Sequence, residues 1–92
     1  MEAEKKVTIR VLPSGWLVSY FDKDQLLIRT PRDIKKALTE IRKEVWSQAQ
    51  GSIPEGGMQI FINGKNAKYL MKQEYLLRDD DEVTLVPMVA GG

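Results

Sequence analysis

Leu77-Arg78-Asp79-Asp80-Asp81-Glu82-Val83-Thr84-Leu85-Val86-Pro87-Met88-Val89-Ala90-Gly91-Gly92 ends the sequence and organises the reading of the rest. Three consecutive aspartates predict a turn, because short acidic side chains bond nearby backbone and compete with regular structure. Glu82 to Val86 then reads as the last strand. If this strand runs beside the first one, in the same direction, a helix can cover one face of the sheet. The last residues then leave from an edge of the globule.

Working outward, Met58 to Ile62 is a strand with Met58, Ile60 and Ile62 on one face and Gln59 and Phe61 on the other. Asn63-Gly64 is the dipeptide favoured by type I′ hairpin turns, where both central residues need positive φ. A return segment over about Ala67 to Leu70 is expected to pair back. Tyr75-Leu76-Leu77 is expected to form a short turn or helical turn plugging the core. Upstream, Gln50 to Gly57 is a loop by its Gly and Pro content.

Thr30-Pro31-Arg32-Asp33 predicts a helix start, with Thr30 as N-cap, Pro31 at the first helical position and Asp33 near the positive end of the dipole. Ile34, Ala37, Leu38, Ile41 and Val45 recur at helical spacing, so the helix is expected over about Pro31 to Ala49. Trp46 falls at the flank of that stripe and is expected to cover the core edge. At the N-terminal side, Val7, Ile9 and Val11 alternate with Thr8 and Arg10, the period of a half-buried strand. Pro13-Ser14-Gly15 is a turn. The runs Trp16–Phe21 and Gln25–Arg29 are rich in strand formers; they fit either two strands or one strand with an irregular lead-in.

The predicted architecture is α+β: a mixed sheet of four to five strands covered on one face by one main helix, in the β-grasp (ubiquitin-like) arrangement. Ninety-two residues make one domain, with a polar extension over about 1–6 and a flexible tail over about 88–92. Net charge is +1, so bulk charge indicates neither a nucleic-acid nor a membrane surface. There is no Cys and no His. That removes disulfides, thiolate metal sites, a Cys nucleophile and the commonest general base. The first six residues lack the apolar stretch of a signal peptide, and a cytoplasmic location is the expectation.

The segments Ile62-Asn63-Gly64, Leu77-Arg78-Asp79-Asp80-Asp81-Glu82-Val83 and Val86-Pro87-Met88-Val89-Ala90-Gly91-Gly92 together resemble the MoaD/ThiS-type sulfur carriers, a family of ubiquitin-like proteins. Within that family they look most like the small subunit of molybdopterin synthase. The likeness is strong over about the last 35 residues. Asp80 stands where the family usually has Gly, and Met88 replaces a second Pro.

The resemblance implies a chemistry. A carboxylate is a poor electrophile, so an activating enzyme, akin to those that adenylate ubiquitin, uses ATP to convert the Gly92 carboxylate to an acyl-adenylate. Sulfur then displaces AMP and leaves a thiocarboxylate. Gly91, Ala90 and Val89 thread into the partner's site; Gly has no Cβ to obstruct close approach. The chain itself binds no cofactor and no metal. Its partners are the adenylating enzyme and a sulfur acceptor such as the molybdopterin synthase large subunit. Acid/base residues belong to those partners, so the chain is expected to be a non-catalytic sulfur-donor subunit. Phe61, Val86 and Met88, on the outward faces of the last two strands, form a candidate partner-docking patch, unless the Trp16–Phe21 segment covers them.

Gly-Gly alone is weak. At about 7% Gly per position it falls at a given terminus about once in 200 chains, and it gains weight from the turn and strand before it. The same tail would serve a ubiquitin-like modifier conjugated through Gly92 to lysines, while a non-covalent β-grasp module would not need it. Asp79 to Glu82 lacks the alternating ligands and Gly of a calcium loop and reads as a solvated turn. Asn63-Gly64-Lys65 lacks the upstream spacing and hydroxyl of a phosphate-binding loop.

Overall fold

The computed structural model describes residues 5–53 and 58–88. Five strands form one sheet: β1 (Lys6–Pro13), β2 (Leu26–Pro31), β3 (Met58–Ile62), β4 (Lys65–Asn66) and β5 (Glu82–Pro87). Helix α1 (Ile34–Gln48) is the long one, and α2 (Ala67–Lys72) is short. The strand order is β2-β1-β5-β3-β4. β1 and β5 are parallel neighbours at the centre, with Val11 opposite Val83. Every other pairing is antiparallel. This is the β-grasp arrangement that the sequence predicted.

The alternation in each strand sends one set of side chains inward. Val7, Ile9 and Val11 from β1, Ile60 and Ile62 from β3, and Val83 and Leu85 from β5 are all buried. They meet Ile34, Ala37, Leu38, Ile41 and Val45, the apolar stripe of α1. Trp46 stays outside this core at 40% exposure, so it does not serve as the core cover expected of it.

The helix begins later than its sequence suggested. Thr30 is not the cap; it is a fully buried strand residue paired with Val7, and its hydroxyl donates to the Pro31 carbonyl at 3.1 Å. Pro31 ends β2 rather than opening α1, and the sheet tolerates it there because β2 is an edge strand. Asp33 is the cap, its carboxylate accepting from the Lys36 amide at 3.0 Å. The link between β2 and α1 is pinned by a bridge from Asp33 to Leu76 and by the Leu77 amide donating to the Arg32 carbonyl at 2.9 Å.

Trp16–Phe21 is not a strand. Gly15–Tyr20 forms a 3₁₀ turn, and only the Gln25–Arg29 run contributes a strand, β2. Leu17 and Phe21 are buried and Tyr20 packs beside them, a spacing of three to four residues that suits a helical turn. The return segment also differs. Asn63 and Gly64 take φ of 51° and 83°, as the type I′ turn requires. Yet the paired return is only Lys65–Asn66, and Ala67–Lys72 is helical, capped by Asn66 accepting from the Lys68 amide. Tyr75–Leu77, expected as a short turn or helical turn, is not helical; Leu76 bridges Asp33, while Leu77 does fill the core.

A strand-borne tail and its anchors

β5 carries the chain to its final residues, and its position is fixed at both ends. At its start, Asp81 is a buried carboxylate. It accepts from Asn63 Nδ2 at 3.0 Å, from the Tyr75 hydroxyl at 2.7 Å and from the Arg78 amide at 3.0 Å. Several donors are what a carboxylate leaving water needs. Burial pushes the Tyr75 phenol above its ordinary pKa, and the hydrogen bond to Asp81 and that residue's negative charge add to the rise. The other aspartates of the turn hold β1. Asp79 accepts from the Thr8 amide at 2.9 Å, and the Asp80 amide donates to the Thr8 carbonyl at 2.9 Å. Asp80 sits at φ 69°, a conformation that glycine takes freely.

At the far end, Ser14 grips β5. Its amide and its hydroxyl both donate to the Leu85 carbonyl, at 3.0 and 2.7 Å. Pro87 pairs with Met58, and a Cβ placed on Gly15 would stand 2.7 Å from the Pro87 ring. Met88 follows at 45% exposure. Val89, Ala90, Gly91 and Gly92, the residues expected to thread into a partner and react, lie outside the described residues.

The candidate docking residues divide between two places. Phe61 and Val86 are half-buried on the sheet face opposite α1, diagonal to one another across the β3–β5 pair. Met88 lines a groove on the helix side instead, together with residues of α1 and α2. Gly15 at the start of the 3₁₀ segment lies beside the Pro87 ring, and the Tyr20 carbonyl at its end accepts from the Gln50 amide at 2.7 Å. Leu12 is an apolar neighbour that the sequence reading passed over. It lies opposite Thr84, which in turn faces Phe61, so Leu12, Thr84 and Phe61 make one row across three strands. Its place one residue after Val11, out of phase with the buried set, was the available signal.

Among the described residues, no group of His, Cys, Asp or Glu is arranged to hold a metal ion. No helix there is long and apolar enough to cross a membrane.

Comparison with known proteins places the chain. The ThiS family model matches residues 17–92. A protein of Archaeoglobus fulgidus described as a sulfur carrier is 49% identical over 35 residues, which cover 38% of this chain and 40% of that protein. The chain therefore matches less than half the length of that relative. The solution structure of small archaeal modifier protein 1 from Methanosarcina acetivorans superposes with a TM-score of 0.65 at 22% identity, covering 96% of this chain and 99% of that one. The Haloferax volcanii HVO 2177 protein superposes at 0.60 and 17% identity, covering 95% and 88%. At those identities the two structures speak to the fold alone. Since the family model spans most of the sequence, including Gly91-Gly92, and the sheet order is that of the β-grasp, this chain belongs to the ThiS family of ubiquitin-like proteins.

Proposed function

We propose that this protein carries sulfur on Gly92. An activating enzyme joins the Gly92 carboxylate to the α-phosphate of ATP, releasing pyrophosphate. A hydrosulfide-level sulfur attacks the acyl carbon, AMP leaves with the bond electrons, and a thiocarboxylate remains. That sulfur is a better nucleophile than the oxygen it replaced. The observation that carries this reading is the family match over residues 17–92, which takes in the anchored β5 and the Val89-Ala90-Gly91-Gly92 sequence after it. In the specific form we favour, the protein is the small subunit of a molybdopterin synthase. Its tail enters a large subunit and gives sulfur to a pterin precursor, with the acid/base residues supplied by the partner. Phe61 and Val86 contribute the apolar face on which an adenylating enzyme docks, and Met88, on the helix side, adds to the contact.

The test is reconstitution with an activating enzyme, ATP and a sulfur donor, followed by intact mass. Replacement of one oxygen by sulfur, abolished by deleting Gly92, is the expected result. Adding a synthase large subunit and its pterin substrate then tests the specific form.

A second reading has one observation in its favour, the structural likeness to a protein named as a modifier. In that reading Gly92 forms isopeptide bonds with lysines of other proteins. Conjugates recovered with a tagged chain, and lost on deleting Gly92, would support it. A purely non-covalent module predicts instead that deleting Gly91-Gly92 leaves function intact.

A further inference from the structure

A second surface lies on the helix side of the sheet. A groove of about 670 Å³ runs between α1, α2 and the outer edge of β3. Leu38, Ile60 and Ala67 form its apolar floor. Met58, Met71 and Met88 also line it, so every methionine in the described residues is gathered here. Methionine side chains are flexible and polarizable, and they suit surfaces that adapt to a ligand. The charged residues at the groove are Lys35, Arg42 and Lys68, all exposed, and among the described residues no carboxylate lines it.

One wall is an unfinished sheet. β4 is two residues long and pairs only with Phe61 and Ile62. Ile62 faces Lys65 beside the two-residue turn, so its amide and carbonyl point toward β4. By alternation the backbone groups of Ile60 and Met58 point the same way, past the end of β4. Among the described residues no backbone partner meets them there. An edge of this kind accepts an added strand.

We propose that this groove binds an extended peptide segment of another protein, a short aliphatic stretch flanked by Asp and Glu. The segment adds to β3 alongside Met58–Ile60. Alternate aliphatic side chains enter the methionine-lined floor, and the flanking carboxylates meet Lys35, Arg42 and Lys68. The cationic rim selects the acidic flanks, and the strand edge selects the extended backbone.

The probe is a fluorescein-labelled peptide, Asp-Glu-Ile-Thr-Val-Glu-Asp, titrated into the full chain and followed by anisotropy and amide chemical shifts. Saturable binding is expected, with shifts centred on Met58–Ile60 and Lys68–Met71. Reversing two exposed charges, Lys35→Glu with Lys68→Glu, is expected to weaken it about tenfold, and added salt to weaken it further. The circular dichroism spectrum of the double variant checks that it remains folded. Equal binding of the control peptide Lys-Lys-Ile-Thr-Val-Lys-Lys would overturn the proposal. So would shifts centred on Phe61 and Val86, or no binding. Tighter binding after removal of residues 89–92 would overturn it too, by assigning the groove to the chain's own end.

Discussion

Asn63 donates from Nδ2 to the Asp81 carboxylate at 3.0 Å, bridging 18 positions of sequence. The same side chain accepts from the Glu82 amide at 3.0 Å, and the Asn63 amide donates to the Glu82 carbonyl at 2.7 Å. The hairpin turn between β3 and β4 is thus bolted to the first residues of β5. Two segments that looked like separate motifs are halves of one fastening, and that fastening sets where β5 starts.

Asn63→Ala removes both side-chain bonds, leaves the buried Asp81 carboxylate short of a donor and puts Ala at φ 51°. The expected loss is about 2–3 kcal/mol, read from urea unfolding. A loss below about 0.5 kcal/mol would mean that water replaces the amide at no cost.

The raised Tyr75 pKa predicts a pH dependence. A phenol held protonated in the folded state contributes stability that is whole below its unfolded pKa, about 10, and is lost as pH rises through the higher folded value. Unfolding free energy should therefore fall above about pH 10 in the wild type and fall less steeply in Tyr75→Phe. At neutral pH the Phe variant should be about 1 kcal/mol less stable, having lost the 2.7 Å bond to Asp81.

Asp80 at φ 69° pays for a conformation that glycine takes freely. Asp80→Gly should exceed Asp80→Ala in thermal stability by about 1 kcal/mol. Neither changes a side-chain bond, because Asp80 contributes only backbone groups to the turn. Equal stabilities would indicate that the turn relaxes out of the left-handed region.

Gly15 combines φ 55° with a site where a Cβ would meet Pro87 at 2.7 Å. Gly15→Ala should cost about 1–3 kcal/mol and shift the amide resonances of Leu85, Val86 and Met88, since the ring it strikes belongs to the last residue of β5. An unaltered spectrum would contradict this account of how the strand's exit is held.

Much of the fold was legible because burial imposes period. Val7, Ile9 and Val11, the stripe from Ile34 to Val45, and Ile60 with Ile62 declare their faces directly. The misreadings share a cause: local propensity lost to tertiary pairing. Trp16, Val18 and Tyr20 favour strands, yet Leu17 and Phe21 had to reach the core four residues apart. Thr30-Pro31 looked like a helix start, but an edge strand beside β1 claimed both residues. At the site, the hairpin and the aspartate turn were each visible. Their bond through Asn63 was not, because it joins residues distant in sequence. The methionine groove was hidden for the same reason, whereas Leu12 was readable from its phase beside Val11.

The most direct measurement is the intact mass of the full chain after incubation with an activating enzyme, ATP and a sulfur donor, run beside the chain lacking Gly92. The account predicts exchange of one oxygen for sulfur at the C-terminus of the full chain and no change in the shortened one. An unchanged mass in both, with the activating enzyme shown to be competent on another carrier, would contradict it.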